Sequence, residues 1–143
     1  MIERVQNWPM KLNQIVEGFR TTPFIWGIHD CGTFACACYE AVTGKKINDT
    51  VVPRNTLTQY LRLVAGSPNG VVGLAESVFG PGLDDWAVAR RGDLVLLESP
   101  RVELVGIKQA MGVCLGSSCA CVGLTGLEFV SVTCAVKVFR IGP

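Results

Sequence analysis

The chain has 143 residues, a length that fits one domain around a single hydrophobic core. Its 13 basic and 12 acidic side chains nearly cancel, so nothing in the composition resembles the basic face that nucleic acid requires, and nucleic acid is not an expected partner. Hydrophobic residues make up 49% and charged residues only 17%, against about 25% charged in an ordinary soluble domain. We therefore expect surface buried against another protein; a compact enzyme with a rich core is the alternative.

Apolar runs in the sequence are all broken by Gly, Pro or a charge before they reach the roughly 20 residues that cross a bilayer, so no membrane insertion is expected. The first five residues, MIERV, lack the charged-then-apolar order of a signal peptide, which predicts synthesis in a host cytoplasm. Seven cysteines are an odd number for a disulfide framework. We expect most of them to be free thiols packed as small hydrophobic side chains.

Four segments of the first half have helical spacing of their apolar residues. The predicted helices begin after Asn7, at Cys31, at Leu57 and at Val71, and end before Pro23, at Thr43, at Gly66 and at Phe79. Asn7 and Asp30 are the expected caps of the first two helices. The polar stretch 45–55 is predicted to connect the second helix to the third.

Short β-branched or aromatic runs follow in the second half, separated by turns rich in Gly and Ser. The predicted strands are 93–97, 111–115, 127–131 and 136–141. Helices followed by strands predict an α+β domain, with a helical half of about 7–80 packed on an antiparallel β-sheet of about 93–141.

The segment PFIWGIHDCGTF, residues 23–34, contains a candidate nucleophile. Cys31 falls in the first turn of a predicted helix, where unpaired N–H groups and the helix dipole favour a thiolate. Gly27, which has no side chain, would let a substrate or a strand approach the thiol. This arrangement is typical of a cysteine peptidase.

Several motifs of the chain resemble those of one group of enzymes. They are, in chain order, Trp26-Gly27, Asp30-Cys31, Phe34, RRGDLV at residues 90–95 and MGVCLG at residues 111–116. Their order is similar to that of the NlpC-type papain-like cysteine peptidases, which cleave peptidoglycan stem peptides. More narrowly, it resembles a family of short phage and prophage proteins usually encoded among tail-tip genes.

The resemblance covers residues 8–141, nearly the whole chain. It implies a papain-like (NlpC-type) α+β fold for a single NlpC-like domain over residues 1–143, and a location in a virion tail. It also implies contacts with the tail hub, distal tail and other tail-tip proteins.

One catalytic position departs from the pattern of the active enzymes. The resemblance implies that the nucleophile is Cys31, that a His before the Val-Gly strand is the base, and that a further polar residue orients that His. Here Ala110 stands at the position of the base, and the one histidine of the chain is His29. General acid–base catalysis typically contributes about 10²–10⁴-fold, so the enzyme is expected to be inactive and the domain to be a structural component of a tail tip or baseplate.

A working pair of Cys31 and His29 is the rival hypothesis. It would make the protein an active peptidoglycan endopeptidase or amidase, with the base supplied by His29 or by a partner chain and peptidoglycan as its substrate. The simpler alternative is that His29 is a loop residue hydrogen-bonded locally.

The paired cysteines have a metal-binding alternative. Cys36 and Cys38 point in nearly opposite directions if helical, and Cys119 and Cys121 supply only two ligands if extended. Packed thiols are the favoured interpretation, and neither a metal nor a cofactor is expected.

Asp93 and the tryptophans have structural explanations as well. Asp93 is expected to form a turn, with Arg90 or Arg91 as a salt-bridge partner, rather than to act in catalysis. Trp8, Trp26 and Trp86 are expected to pack in a core or an interface rather than to bind a sugar.

Overall fold

Helices occupy the first half of the chain and strands the second in the computed structural model, which describes residues 3–47, 57–104 and 106–142. The helices are α1 (Trp8–Phe19), α2 (Cys31–Thr43), α3 (Leu57–Gly66) and α4 (Gly70–Phe79). The strands are β1 (Leu94–Glu98), β2 (Gln109–Cys114), β3 (Ser118–Val122), β4 (Leu127–Ser131) and β5 (Ala135–Phe139). The predicted α+β class is confirmed.

The strands form one antiparallel sheet in the order β4-β3-β2-β1-β5. Four of them match predicted strands within a few residues at each end, but β3 was missed. Its sequence, SCACV, is almost entirely buried because the strand lies between β2 and β4. A strand covered on both faces has no alternation of polar and apolar residues by which to recognise it.

One face of the sheet packs against the helices. Leu94, Leu96 and Val113 on this face meet Leu12 of α1 and Phe34 of α2, and all five are fully buried. We call this cluster the helix-side core. It fixes α2, and therefore Cys31 at its start, against β2.

The opposite face of the sheet is covered by short connections instead of helices. Val95, Leu97 and Cys121 are fully buried there beneath residues of three 3₁₀ turns. These turns are Trp86–Val88, Pro100–Val102 and Val132–Cys134. This second cluster, the turn-side core, was not predicted, because three-residue turns leave no periodicity in a sequence. It accounts for part of the apolar composition.

The helix ends largely follow the predictions. Asp30 caps α2 as expected, and Gly44 ends the helix in a left-handed conformation directly after Thr43. Asn7 precedes α1 but its side chain makes no capping hydrogen bond, so the predicted cap is wrong in that detail. Leu61 on α3 is 42% exposed although its spacing favoured burial. The predicted connection 45–55 falls mainly on 48–56, outside the described residues.

Asp93 is a structural anchor at the start of the sheet. Its side chain is fully buried, lies 2.8 Å from Arg4 and 3.6 Å from Arg90, and accepts the backbone N–H groups of Arg90 and Ile141, each at 2.9 Å. The predicted turn role and the pairing with Arg90 are confirmed. Arg4, the closer partner, was not predicted.

No helix within residues 3–47, 57–104 and 106–142 combines the length and the apolarity that a membrane span needs.

Candidate functional site

Cys31 is the first residue of α2, and its neighbours fix where that helix begins. The Asp30 carboxylate accepts the backbone N–H of Thr33 at 2.8 Å, and the Thr33 hydroxyl accepts the backbone N–H of Asp30 at 2.9 Å. The other carboxylate oxygen accepts the N–H of Gly27 at 2.7 Å. Both carboxylate oxygens are therefore committed to backbone groups, and Asp30 is a cap rather than a catalytic base.

Gly27 serves the loop before the helix. Its φ of +79° is readily adopted only by glycine, and the resulting turn aims its N–H at Asp30. This conformation is a structural reason for a glycine at residue 27, and the approach of a substrate or a strand stays a prediction.

The thiol of Cys31 lies at a small, largely apolar pocket between the loop before α2 and the sheet. The pocket is lined by Phe24, Trp26, Cys31, Val102, Leu104, Ile107, Gln109, Ala110 and Val122. Its volume of about 20 Å³ holds roughly one water molecule.

The structure brings Ala110 into the same pocket as Cys31. The backbone of the adjacent residue, Met111, lies close enough to the Cys31 thiol to lower its pKa. A methyl group accepts no proton, and the amide of Gln109, also in the pocket, donates to Glu98 at 2.9 Å. The position that the resemblance assigns to the base therefore lines the pocket of the thiol and carries no base.

Burial raises the pKa of the Cys31 thiol to about 11, and the nearby Asp30 carboxylate adds to the rise. Backbone groups of Met111, Gly32 and Cys31 itself lower the pKa only in part. The expectation that the helix terminus would favour a thiolate is wrong in its net sign, because desolvation outweighs the helix N–H groups. At neutral pH the group is a protonated thiol.

His29 lies near Cys31 in sequence but packs against α1. Its ring meets Phe19 edge to face, with centroids 5.1 Å apart, and Nδ1 is buried without a hydrogen-bond partner. The backbone of His29 pairs with Ile25, so the loop is held locally, but the expected local hydrogen bond of the ring is absent at Nδ1. Within the described ranges no hydrogen bond joins His29 to Cys31.

All seven cysteines are free thiols, in agreement with the prediction that most of them would be. Cys38, Cys114, Cys119 and Cys121 are buried, whereas Cys31, Cys36 and Cys134 keep some exposure. Among the described residues, no group of three or more His, Cys, Asp or Glu side chains is arranged to hold a metal ion.

The tryptophans lie in three different surroundings. Trp8 stacks under the Arg4 guanidinium at 4.5 Å, and Trp26 lines the Cys31 pocket, edge to face with Phe24 at 4.7 Å. Trp86 is 44% exposed and is therefore not a core residue, and its packing in an interface stays a prediction.

An exposed apolar patch adjoins the pocket. Ile25, Ile28 and Leu124 are 45%, 57% and 70% exposed. The backbone N–H of Phe24 donates to the carbonyl of Leu124 at 3.1 Å and ties the two loops together. We call these three residues the mouth patch. Neither this patch nor the pocket wall formed by Val102 and Leu104 was predicted, because residues so far apart in the chain share no local motif.

Comparison with known proteins adds the family. No curated protein and no solved structure matches the chain. A family model described as "Domain of unknown function (DUF6950)" matches residues 3–141, which is nearly the whole chain. The chain therefore belongs to the DUF6950 family.

Proposed function

We propose that this protein is a structural component of a phage or phage-like tail tip, built on an NlpC-type papain-like scaffold that has lost its catalytic base. One observation carries the proposal: Ala110 lines the pocket of the Cys31 thiol, at the position where a peptidase needs an imidazole. A protonated thiol without a base does not attack an amide at a useful rate.

The scaffold part of the proposal is supported by the arrangement of α2 and β2. A cysteine begins a helix that packs on an antiparallel sheet, and the strand beside it carries the residue that the motif order assigns to the base. The motif order thus agrees with a spatial juxtaposition of Cys31 and Ala110, which lie far apart in the chain.

The assembly part of the proposal is supported by the mouth patch. Ile25, Ile28 and Leu124 are exposed on the two loops that meet at Phe24, a residue of the pocket, on a domain that already has two buried cores. Apolar side chains clustered on a surface mark contacts with other proteins. We assign this patch to contacts with the tail hub, the distal tail protein or other tail-tip proteins, and place the protein in the virion tail.

Hydrolysis of peptidoglycan tests the loss of activity. The purified chain and its Cys31→Ala variant are incubated with peptidoglycan and with soluble stem-peptide fragments, and the products are counted by mass spectrometry. We expect the same background from both proteins. Turnover by the wild-type chain that disappears in Cys31→Ala would overturn the proposal.

Incorporation into particles tests the assembly role. Ile28→Asp and Leu124→Asp each add a charge to the mouth patch, and Gln14→Asp adds the same charge at an exposed site on α1. We expect the first two variants to fold with unchanged Tm but to be depleted from particles, whereas Gln14→Asp and Cys31→Ala are incorporated normally. Wild-type levels of all four variants in infectious particles would rule out this role for the patch.

A second function, peptidoglycan endopeptidase or amidase, has one observation in its favour. Nδ1 of His29 is buried and lacks a partner, so a rearranged loop could present this nitrogen to the Cys31 thiol. The hydrolysis assay is therefore repeated with intact particles, where a neighbouring chain could also supply the base. Activity in particles alone would favour this alternative.

A further inference from the structure

Two cysteines outside the candidate site face each other across the hairpin of β2 and β3. Cys114 and Cys119 are register partners, and both are fully buried in the turn-side core. They form the last pair before the turn, which is closed by a hydrogen bond from Leu115 N–H to the Ser118 carbonyl at 2.8 Å.

The backbone of Cys114 faces away from β3. Its N–H donates to the Asp93 carbonyl at 2.9 Å, and its carbonyl accepts the N–H of Gly92 at 2.8 Å. Cys114 and Cys119 are therefore a non-hydrogen-bonded pair. Opposite residues in such pairs have Cα atoms about 4.5 Å apart, within the range of about 4.4–6.8 Å that a disulfide spans.

The two thiols already interact. The Cys114 S–H donates to the carbonyl oxygen of Gly116 at 3.3 Å, and the Cys119 side chain lies close enough to shift the pKa of Cys114. The interaction with Cys119 lowers the pKa of Cys114 and raises that of Cys119. Cys114 is thus the better nucleophile of the pair, and Cys119 is in place to follow it.

The other strand cysteine lacks this relationship. Cys121 lies on the same face of β3 as Cys119, but its register partner on β4 is Glu128. Burial raises the pKa of Cys121 to about 12. Proximity on one sheet face therefore does not by itself create a reactive pair.

We infer that Cys114 and Cys119 are a dithiol that a peroxide converts into a disulfide across the β2–β3 hairpin. The Cys114 thiolate attacks one oxygen of hydrogen peroxide, the O–O bond breaks, and a sulfenic acid and hydroxide form. The Cys119 sulfur then attacks the Cys114 sulfur, the S–O bond breaks, and the departing oxygen leaves as water after protonation. Overall two thiols and one peroxide give one disulfide and two waters.

The route for the oxidant is the hairpin turn. Gly116, whose carbonyl oxygen lies 3.3 Å from the Cys114 sulfur, and its neighbour Ser117 are both exposed, so a small opening of this turn would admit a molecule the size of peroxide to Cys114. The inference concerns chemistry outside the Cys31 pocket and does not depend on the proposed function.

Differential alkylation of the full chain tests the inference. The reduced protein is treated with hydrogen peroxide, denatured in N-ethylmaleimide to block free thiols, reduced, and labelled with iodoacetamide. We expect the second label on Cys114 and Cys119 and maleimide on the other five of the seven cysteines. Maleimide on both members of the pair, or the second label on another pair, would refute the inference.

Two variants on the same strand test the order of the steps. Cys119→Ser removes the resolving thiol, so we expect no second label and a sulfenic acid on Cys114 that dimedone traps. Cys121→Ser changes a buried cysteine two residues away, and its disulfide should form as in the wild type. Dimedone labelling of Cys119 in Cys114→Ser at the same rate would contradict the assigned order.

Discussion

Arg4 and Asp93 join two segments that are 89 residues apart in the chain. The guanidinium lies 2.8 Å from the fully buried carboxylate and also donates to the carbonyl of Ile141 at 2.9 Å. Asp93 in turn accepts the backbone N–H of Ile141. Both terminal segments of the domain therefore meet at one carboxylate at the start of β1.

Replacing Arg4 by Met tests this anchor. The variant leaves Asp93 buried with Arg90 as its remaining cationic partner at 3.6 Å. Removing one partner of a buried pair typically costs about 3–5 kcal/mol, and we expect a loss near the lower end in urea unfolding, because the carboxylate keeps two backbone donors.

The control for that substitution is Arg101→Met. Arg101 pairs with Glu128 at 3.0 Å, but its side chain is 62% exposed, and exposed pairs contribute about 0–1 kcal/mol. Equal losses of stability in the two variants would show that Asp93 does not depend on Arg4.

Slow alkylation of Cys31 follows from its desolvation. With a pKa near 11 against an ordinary 9, the thiolate at neutral pH is about 100-fold scarcer than for an unperturbed cysteine. The iodoacetamide rate at Cys31, followed by peptide mass spectrometry, should rise until about pH 11. A plateau below pH 8 would contradict the assigned environment.

The same shift links stability to pH. The folded thiol keeps its proton above pH 9, where the unfolded chain releases it, so the unfolded state binds fewer protons between about pH 9 and 11. The contribution of Cys31 to stability is intact below that window and is lost as the pH rises through it. Cys31→Ala should reduce the decline across this window in urea unfolding.

Asp30→Asn tests whether the charge of the capping residue, as distinct from its hydrogen bonds, raises the pKa of Cys31. Because the Asp30 carboxylate raises the pKa of Cys31, neutralising it should lower that pKa and accelerate alkylation at pH 8. Thr33→Ala is the matched control, since it removes the other half of the capping box and leaves the charge in place. Equal acceleration in both variants would assign the effect to fraying of α2.

Local patterns were sufficient for much of the fold. The four helices and the capping residue Asp30 follow from apolar spacing and cap chemistry within a few residues. The strand β3 and the 3₁₀ turns could not be predicted in this way, because a uniformly buried strand and a three-residue turn produce no periodic pattern of apolar residues. The pairing of Arg4 with Asp93 was equally hidden, since it depends on which segments meet in the folded chain.

The candidate site also has a part that local patterns predict and a part that depends on the fold. The place of Cys31 at a helix start could be predicted from Asp30 and the residues that follow it. The sign of its pKa shift could not, because desolvation comes from Ala110, Val122 and other residues that only the fold brings near.

Gly112 on β2 lies where the neighbouring strand comes closest. A Cβ added there would clash with the carbonyl oxygen of Ala120. This oxygen belongs to the backbone, so no side-chain rotation can relieve the clash. Gly112→Ala should therefore lower Tm by forcing β2 and β3 apart. In Gly18→Ala, on α1, an added Cβ meets nothing within 4 Å, and we expect a gain of up to about 1 kcal/mol from helix propensity. A neutral Gly112→Ala would contradict the strand spacing.

Ala110→His tests whether the position opposite Cys31 is that of a lost base. An imidazole at residue 110 enters the Cys31 pocket at its wall on β2 and can pair with the thiolate, so the pKa of Cys31 should fall from about 11. The pH dependence of iodoacetamide labelling at Cys31 measures the shift. Ala110→Asn is the control, because it fills the same space with a polar group that does not titrate.

Three outcomes of that comparison are distinct. A lower pKa in Ala110→His alone supports the peptidase-like arrangement, because only a titrating group at residue 110 then reaches the sulfur. Equal shifts in both variants mean that opening the pocket to water is the cause, since desolvation is the main reason for the raised pKa. An unchanged pKa of Cys31 in Ala110→His, with Tm retained, shows that the side chain of residue 110 does not interact with the thiol. The degenerate-peptidase proposal then loses its principal support.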